Sequence, residues 1–314
     1  MKKSEKNFDN IRQLTLVFLL VVEVVIFAIL SGNFLTGSNI INILRQVSVT
    51  GISAMGMFMI ILLGDIDLSV GSMYAFIGVL CAYTFRATGS SVLTVLVAIG
   101  LGLLIGLFNG VITAKFGISA FITTLATMSI CRGFAYILTG GTPIGITDQK
   151  FVFLGSGYVA GVVPLPIIFM IIVIAIVYFA MYKTRFGRHV YATGGNMQAT
   201  EWSGINTKQI KILVFMIAGL LNGFASIILA GRLGGGLPAA GEGAEMDVIT
   251  AVVLGGTSMT GGKGKLWGVI IGVLIIGILT NGLTMIGVST YWQKVVKGAI
   301  ILVAVVMDTK NSDK

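Results

Sequence analysis

From Gln13 to Met307 the chain is a succession of apolar runs, each long enough to cross a bilayer, separated by short polar or glycine-rich breaks. A membrane helix needs about 20 apolar residues. The runs are Gln13–Ser31, Ile40–Leu63, Met73–Thr88, Val92–Ala114, Ala120–Leu138, Pro166–Tyr182, Ile212–Ala230, Met246–Met259, Leu266–Ile286 and Tyr291–Met307. Ten helices consume roughly 200 residues, which a chain of 314 accommodates with short loops. Composition agrees. Charged residues make up 11% and the mean hydropathy is +0.99, whereas a soluble domain carries about 25% charge. So much apolar surface has to face lipid. The chain therefore predicts an all-α integral membrane protein, one transmembrane domain over 1–314, with about ten helices and broken or re-entrant segments. Met246–Met259 is short for a full crossing and reads as a half-helix.

Charge placement sets an expected orientation. The formal net charge is +9, which in a soluble chain raises nucleic acid binding; here lysine and arginine retained in cytoplasmic loops account for it. With the N-terminus (1–12, carrying Lys2, Lys3, Lys6 and Arg12) inside, the segment 183–211, Lys115, the Lys263/Lys265 loop and the tail 308–314 also fall inside. The N-terminal run is too long for a signal peptide core and reads as an uncleaved first helix. Lys294 and Lys297 fit this scheme poorly, near the outer end of the last helix, and are expected to snorkel or to face a polar cavity. Tyr291 and Trp292 read as an interfacial belt.

Catalytic chemistry finds no support. The nearest approach to a phosphate-binding loop is Gly261-Gly262-Lys263-Gly264, with Thr257 where the first glycine belongs and Gly264 in place of the hydroxyl residue. His189 is the only histidine, and Cys81 and Cys131 lie far apart in apolar runs. They read as packing residues without a disulfide. No cofactor and no metal are expected. Small-residue faces are abundant: Gly102/Gly106/Gly110, Gly219/Gly223 and Gly268/Gly272 each recur every four residues, a spacing that lets helix backbones approach closely.

The break Gly64-Asp65-Ile66-Asp67-Leu68-Ser69-Val70-Gly71-Ser72 sets two carboxylates and two hydroxyls between long apolar runs. Ionisable groups at membrane depth face a cavity or a partner, while Asp67 and Ser69 are also suited to cap the following helix. Both uses stay open, as they do for Glu23, Arg45, Gln46, Asn109, Arg132, Asn222 and Asn281, which either hydrogen-bond between helices or line a path. Leu62–Ser72 and Val253–Gly264 resemble each other as apolar helix ends running into glycine-rich breaks, and both fall toward the same face. Thr193–Ile205, in the most basic loop, reads as a short amphipathic element suited to docking a soluble partner.

These stretches resemble the permease subunit of ribose-type ABC sugar importers. GDIDLSVGS (64–72) is similar to that family's GGIDLSVGS. RFGR followed by YATGGNMQATEWSGI is similar to its GR-x-IYA-x-GGN-x-x-AA-x-x-SGI, and DVITAVVLGGTSMTGGKG (247–264) to its D-x-IAAVVLGGTS-x-x-GGKG. The likeness runs from Asn33 to Lys310. It departs at Asp65, where the family has glycine, at Glu201-Trp202, and at Glu23. The resemblance implies an ABC importer permease fold in the bacterial plasma membrane. It implies a second copy of the permease, a separate ABC-type ATPase and an extracytoplasmic sugar-binding protein as partners, with no nucleic acid. It places ATPase coupling at 183–211, through Gly195, Asn196, Ala199, Ser203 and Gly204. The translocation path is expected at Asp65, Asp67, Ser69, Asn222 and Asn281. Ribose is the expected cargo; galactose, xylose and autoinducer-2 are alternatives in the same role. A different class, an ion-coupled secondary transporter, would use Asp65, Asp67 and Glu23 as ion sites; a membrane scaffold without transport is the third.

Overall fold

In a computed structural model the backbone is described over residues 2–312 and the side chains over 14–306. The side chains of Lys2, Lys3, Lys6 and Arg12 and those of the tail 308–314 lie outside that range. The chain is helical almost throughout: α1 (Lys2–Leu30), α2 (Gly37–Leu62), α3 (Val70–Thr88), α4 (Ser91–Phe116), α5 (Ala120–Thr139), α6 (Gln149–Ser156), α7 (Leu165–Lys183), α8 (Arg185–Gly195), α9 (Met197–Trp202), α10 (Thr207–Leu233), α11 (Ala244–Leu254), α12 (Leu266–Met285) and α13 (Thr290–Ser312). Four two-residue strands, β1 (Ile144–Gly145), β2 (Tyr158–Val159), β3 (Val163–Pro164) and β4 (Gly235–Gly236), pair antiparallel as β1 with β4 and β2 with β3.

Seven helices, α2, α3, α4, α5, α7, α10 and α12, are long and apolar enough to cross a membrane, and Leu14–Leu30 adds a shorter apolar stretch. The protein is thus a multi-pass membrane protein. Helices α2 and α10 form its centre: Ile52, Met55, Phe58 and Phe215 are at most 1% exposed. The flanking helices α4, α5 and α7 show large apolar side chains such as Leu104, Ile137 and Phe179 to the outside. That pattern is the one lipid selects.

The small-residue faces do what their spacing predicts. A Cβ on Gly102 would overlap the carbonyl oxygen of Gly219, and one on Gly106 that of Phe215, so α4 and α10 lie backbone to backbone. The faces at Gly268 and Gly272 meet Gly255 and Ala251 at the end of α11 in the same way. A Gly219→Val change therefore forces α4 away from α10. It is expected to cost about 1–2 kcal/mol, read as a lowered melting temperature in detergent with unchanged membrane insertion.

Several boundaries differ from those expected: α1 begins at Lys2 rather than Gln13, and α13 ends at Ser312 rather than Met307. Helix α3 starts at Val70 rather than Met73 because Asp67 Oδ1 accepts the Ser69 N–H at 2.8 Å, ordering the turn ahead of the apolar run. Helix α10 starts at Thr207, where Asn206 caps it by accepting from Gln209 N, so its first turn is polar and extends past the apolar stretch. Helix α11 is 11 residues long and ends at Leu254, where the glycine-rich turn begins. The loop Thr139–Pro164 also holds a helix that its turn-rich sequence hides. Asp148 caps α6, and the fully buried Phe151 seats it against Phe85 with ring centroids 5.3 Å apart.

The segment before α11 is non-helical backbone packed against the bundle: the two-residue β4 is followed by turns over 238–243. A Cβ on Gly236 would stand 2.6 Å from Val79 Cα, and one on Gly241 would stand 2.7 Å from the carbonyl oxygen of Gly71. Between those two points the segment follows α3 over eight residues, about 12 Å of helix axis. Non-helical backbone within a membrane bundle must find partners within the protein.

Candidate functional site

Polar groups gather in two assemblies. The first gathers three stretches that lie far apart in sequence. At the end of α2, the Leu62 carbonyl accepts the Gly262 N–H at 2.9 Å. A Cβ on Gly194, at the end of α8, would overlap that same carbonyl oxygen. One on Gly261 would stand 2.8 Å from Gly194 O and 3.0 Å from Gly64 N, and one on Gly262 would stand 2.6 Å from Gly195 Cα. The three backbones touch, and only glycine permits it; Gly64, Gly261 and Gly262 also hold positive φ angles, of 79°, 86° and 70°. Tyr191 on α8 donates to Gly264 O at 2.9 Å, and Leu266 N donates to Tyr182 Oη at 3.0 Å, fastening the same loop to α7 and α8. Burial, and then the neighbouring Tyr182 hydroxyl, push the Tyr191 phenol above its ordinary range, so it stays a donor. The likeness between Leu62–Ser72 and Val253–Gly264 thus becomes a physical meeting on one face.

From this junction α9 projects outward. The five positions expected to couple are its caps and turns. Asn196 is the N-cap and accepts from Ala199 N at 2.9 Å; Ser203 closes the helix by donating to Ala199 O from both its N–H, at 3.1 Å, and its Oγ, at 2.9 Å. Gly204 takes the left-handed turn with φ of 80°, and Gly195 ends α8 with open space where a Cβ would go. All five are exposed, and Trp202 shows 86% of its surface. An Asn196→Ala variant is expected to loosen α9 by about 1 kcal/mol and Asn196→Asp to keep it; amide exchange over residues 199–203 reads the difference.

The polar break takes its own form. Asp65 pairs with Lys211 on α10 at 2.8 Å. Asp67 is 2% exposed, and its Oδ1 accepts both the N–H and, at 2.6 Å, the Oγ of Ser69. Asn109 on α4 donates to Ser69 Oγ at 3.3 Å and accepts from Thr127 on α5 at 2.6 Å. Asp67 and Ser69 therefore order the turn ahead of α3, without a side-chain cap on its first-turn N–H groups, and tie it to α4 and α5. Asn281 exchanges two hydrogen bonds with Asn39, at 3.0 and 2.9 Å, joining α12 to α2. Asn222 is buried in α10, and its Oδ1 has no hydrogen-bond partner. The five path residues are thus spread over separate contacts rather than one cluster.

The second assembly lies around the start of α11. Arg132 on α5 donates to Pro238 O at 2.6 Å, to Ala240 O at 2.9 Å and to Gly71 O at 3.2 Å, satisfying two carbonyls of the turns ahead of α11 and one at the start of α3. Lys297 pairs with Asp247 at 2.8 Å and Lys294 with Glu242 at 2.9 Å, so α13 is latched to α11. Glu245 and Asp247 lie in the first turn of α11, where carboxylates suit the positive end of the helix. These ion pairs explain the two lysines that fitted the charge scheme poorly. Their signal in the sequence is the i, i+3 spacing of 294 and 297 opposite an acidic run, 242–247, behind a glycine-rich stretch. Among the described residues no cluster of metal-ligating side chains occurs.

The junction thus brings Leu62 and Gly64, Gly194 and Gly195, and Gly261 and Gly262 to one point. Residues 39–305 match the family model described as the branched-chain amino acid transport system permease component. The chain belongs to this permease family. The permease is 45% identical over 296 residues to the ribose import permease protein RbsC of Escherichia coli K12, covering 93% of this chain and 92% of the relative. It is 44% identical to RbsC of Bacillus subtilis 168 over 309 residues, covering 98% and 96%. It is 36% identical to the xylose transport system permease protein XylH of Haemophilus influenzae, covering 90% and 92%. No solved structure matches.

Proposed function

We propose that this chain is the translocating subunit of an ATP-driven monosaccharide importer of the bacterial inner membrane, with ribose as its cargo. The observation that carries the proposal is the junction beneath α9: the end of α8, which leads through Asn196 straight into that short exposed helix, is in backbone contact through Gly194 and Gly195 with both membrane breaks. Force applied at α9 reaches the α2–α3 break and the 261–262 turn through backbone rather than through flexible side chains. The ribose relatives at 44–45% identity support the cargo.

In this reading the basic end faces the cytoplasm, with both termini, and an ABC-type ATPase grips Gly195, Asn196, Ala199, Ser203 and Gly204. A soluble binding protein delivers sugar at the other end, to an interface between two copies of the permease within the lipid bilayer. Ten elements cross: the seven long helices, the apolar part of α1, α13, and the broken unit formed by the non-helical segment 234–243 with α11. Asp65, Asp67, Ser69, Asn222 and Asn281 serve the path: Asp65 through its pair with Lys211, Asp67 and Ser69 by holding the start of α3, Asn281 by fixing α12, and Asn222 by offering a free acceptor. No bond is made or broken in this subunit. When the ATPase moves α9, the junction shifts the end of α11, and the latch to α13 transmits the change to the far end. Of the three carboxylates that an ion-coupled transporter would use, Asp65 and Asp67 are already engaged by Lys211 and Ser69.

The test is ATPase stimulation. With permease and its ATPase in nanodiscs, sugar-loaded binding protein is expected to raise ATP hydrolysis, and the Gly194→Val permease is expected to abolish that response while still inserting. Stimulation that survives Gly194→Val would remove the junction from the mechanism.

A further inference from the structure

A cavity of about 380 Å³ opens at the basic end, between the α4–α5 turn, the break after α2 and the start of α10. Its charged lining is Lys115, Lys208, Lys211 and Asp65. Asp65 neutralises Lys211; Lys115 and Lys208 are exposed and have no carboxylate within ion-pair distance among the described residues. The N-terminus of the 20-residue α5 opens onto the same space through Ser119 and Ala120, and Ser119 makes no side-chain cap. Its first-turn N–H groups thus lack the partner a cap would supply, and the positive end of the helix points at the cavity. Independently, Thr113 lines the cavity, is 95% buried, and has a hydroxyl with no hydrogen-bond partner. Two unneutralised ammonium groups, a helix N-terminus and an orphaned hydroxyl converge from three elements. The space far exceeds a halide.

We propose that this cavity is a binding site for a phosphate-bearing anion. Lys115, Lys208 and the α5 N-terminus take the phosphoryl oxygens, and Thr113 takes a further oxygen. Such groups have two sources at a cytoplasmic membrane surface, a free phosphate ester and the headgroup of an anionic lipid. Met197 of α9 lines the same cavity, so occupancy stiffens the approach to the proposed coupling helix. The placement rests on the basic end facing the cytoplasm.

The experiment uses the full chain purified in detergent, without ATP or transport. Radiolabelled inorganic phosphate is expected to bind saturably. Each of Lys115→Gln and Lys208→Gln is expected to weaken it about tenfold, while Lys150→Gln, at the far end, leaves it unchanged. The second arm compares melting in phosphatidylcholine nanodiscs with and without phosphatidylglycerol. Lysine-dependent binding of phosphate in detergent supports a free ester. Lysine-dependent stabilisation confined to the anionic nanodiscs supports a headgroup. Neither effect, or effects indifferent to the two lysines, overturns the proposal. So does a site whose lysines crosslink only to an acidic segment of the ATPase, since the cavity would then be a protein contact. Because no transport is measured, either result leaves the importer reading standing or falling on its own tests.

Discussion

Replacing Trp202 with Ala is expected to leave the permease inserted and folded and to weaken its grip on the ATPase by at least about 2 kcal/mol, about 30-fold. Trp202 is 86% exposed at the end of α9, so its removal costs almost nothing in the isolated subunit. An indole so placed on a six-residue helix is poorly explained by packing within the chain. Large aromatic residues at the centre of an interface supply much of its energy. Titration of purified ATPase onto nanodisc-held permease measures the loss directly. Wild-type affinity in Trp202→Ala would place the ATPase elsewhere.

The second large effect is expected at Arg132. Its guanidinium holds three carbonyls, two from the turns ahead of α11 and one from the start of α3. Arg132→Leu strips those carbonyls of their donors at membrane depth. At about 1–3 kcal/mol for each unsatisfied group, the total is about 4 kcal/mol after relaxation. Arg132→Lys, a single ammonium without the planar fork, is expected to recover part of it. The melting temperature of the purified protein separates the three variants. A Leu variant as stable as wild type would mean that the turns ahead of α11 do not depend on this side chain.

How much of this was legible in the sequence depends on the range of the interaction. Helix positions followed from local apolar runs, and the facing of Gly102 and Gly106 against the α10 backbone followed from spacing alone. The half-helix α11 was visible as a run too short to cross. The junction was different. Each of its three glycine stretches stood out, but that Gly194, Leu62 and Gly262 share one contact is a property of the folded backbone. Arg132 read only as a polar residue in an apolar run, because its partners are carbonyls more than 60 residues away, and carbonyls leave no mark in a sequence. Asp67 and Ser69 were open between capping and a path; their mutual hydrogen bonds order the turn ahead of α3, and neither side chain accepts from a first-turn N–H of that helix. Helix α6 was missed because its apolar stretch is too brief to give a period.

The central claim is that this subunit moves sugar only when a separate ATPase drives it. Uptake of labelled ribose into proteoliposomes measures this most directly. The predicted result is uptake that needs ATP, the ATPase and the binding protein together, and none from the permease alone under a proton or sodium gradient. Gradient-driven accumulation by the permease alone would contradict it.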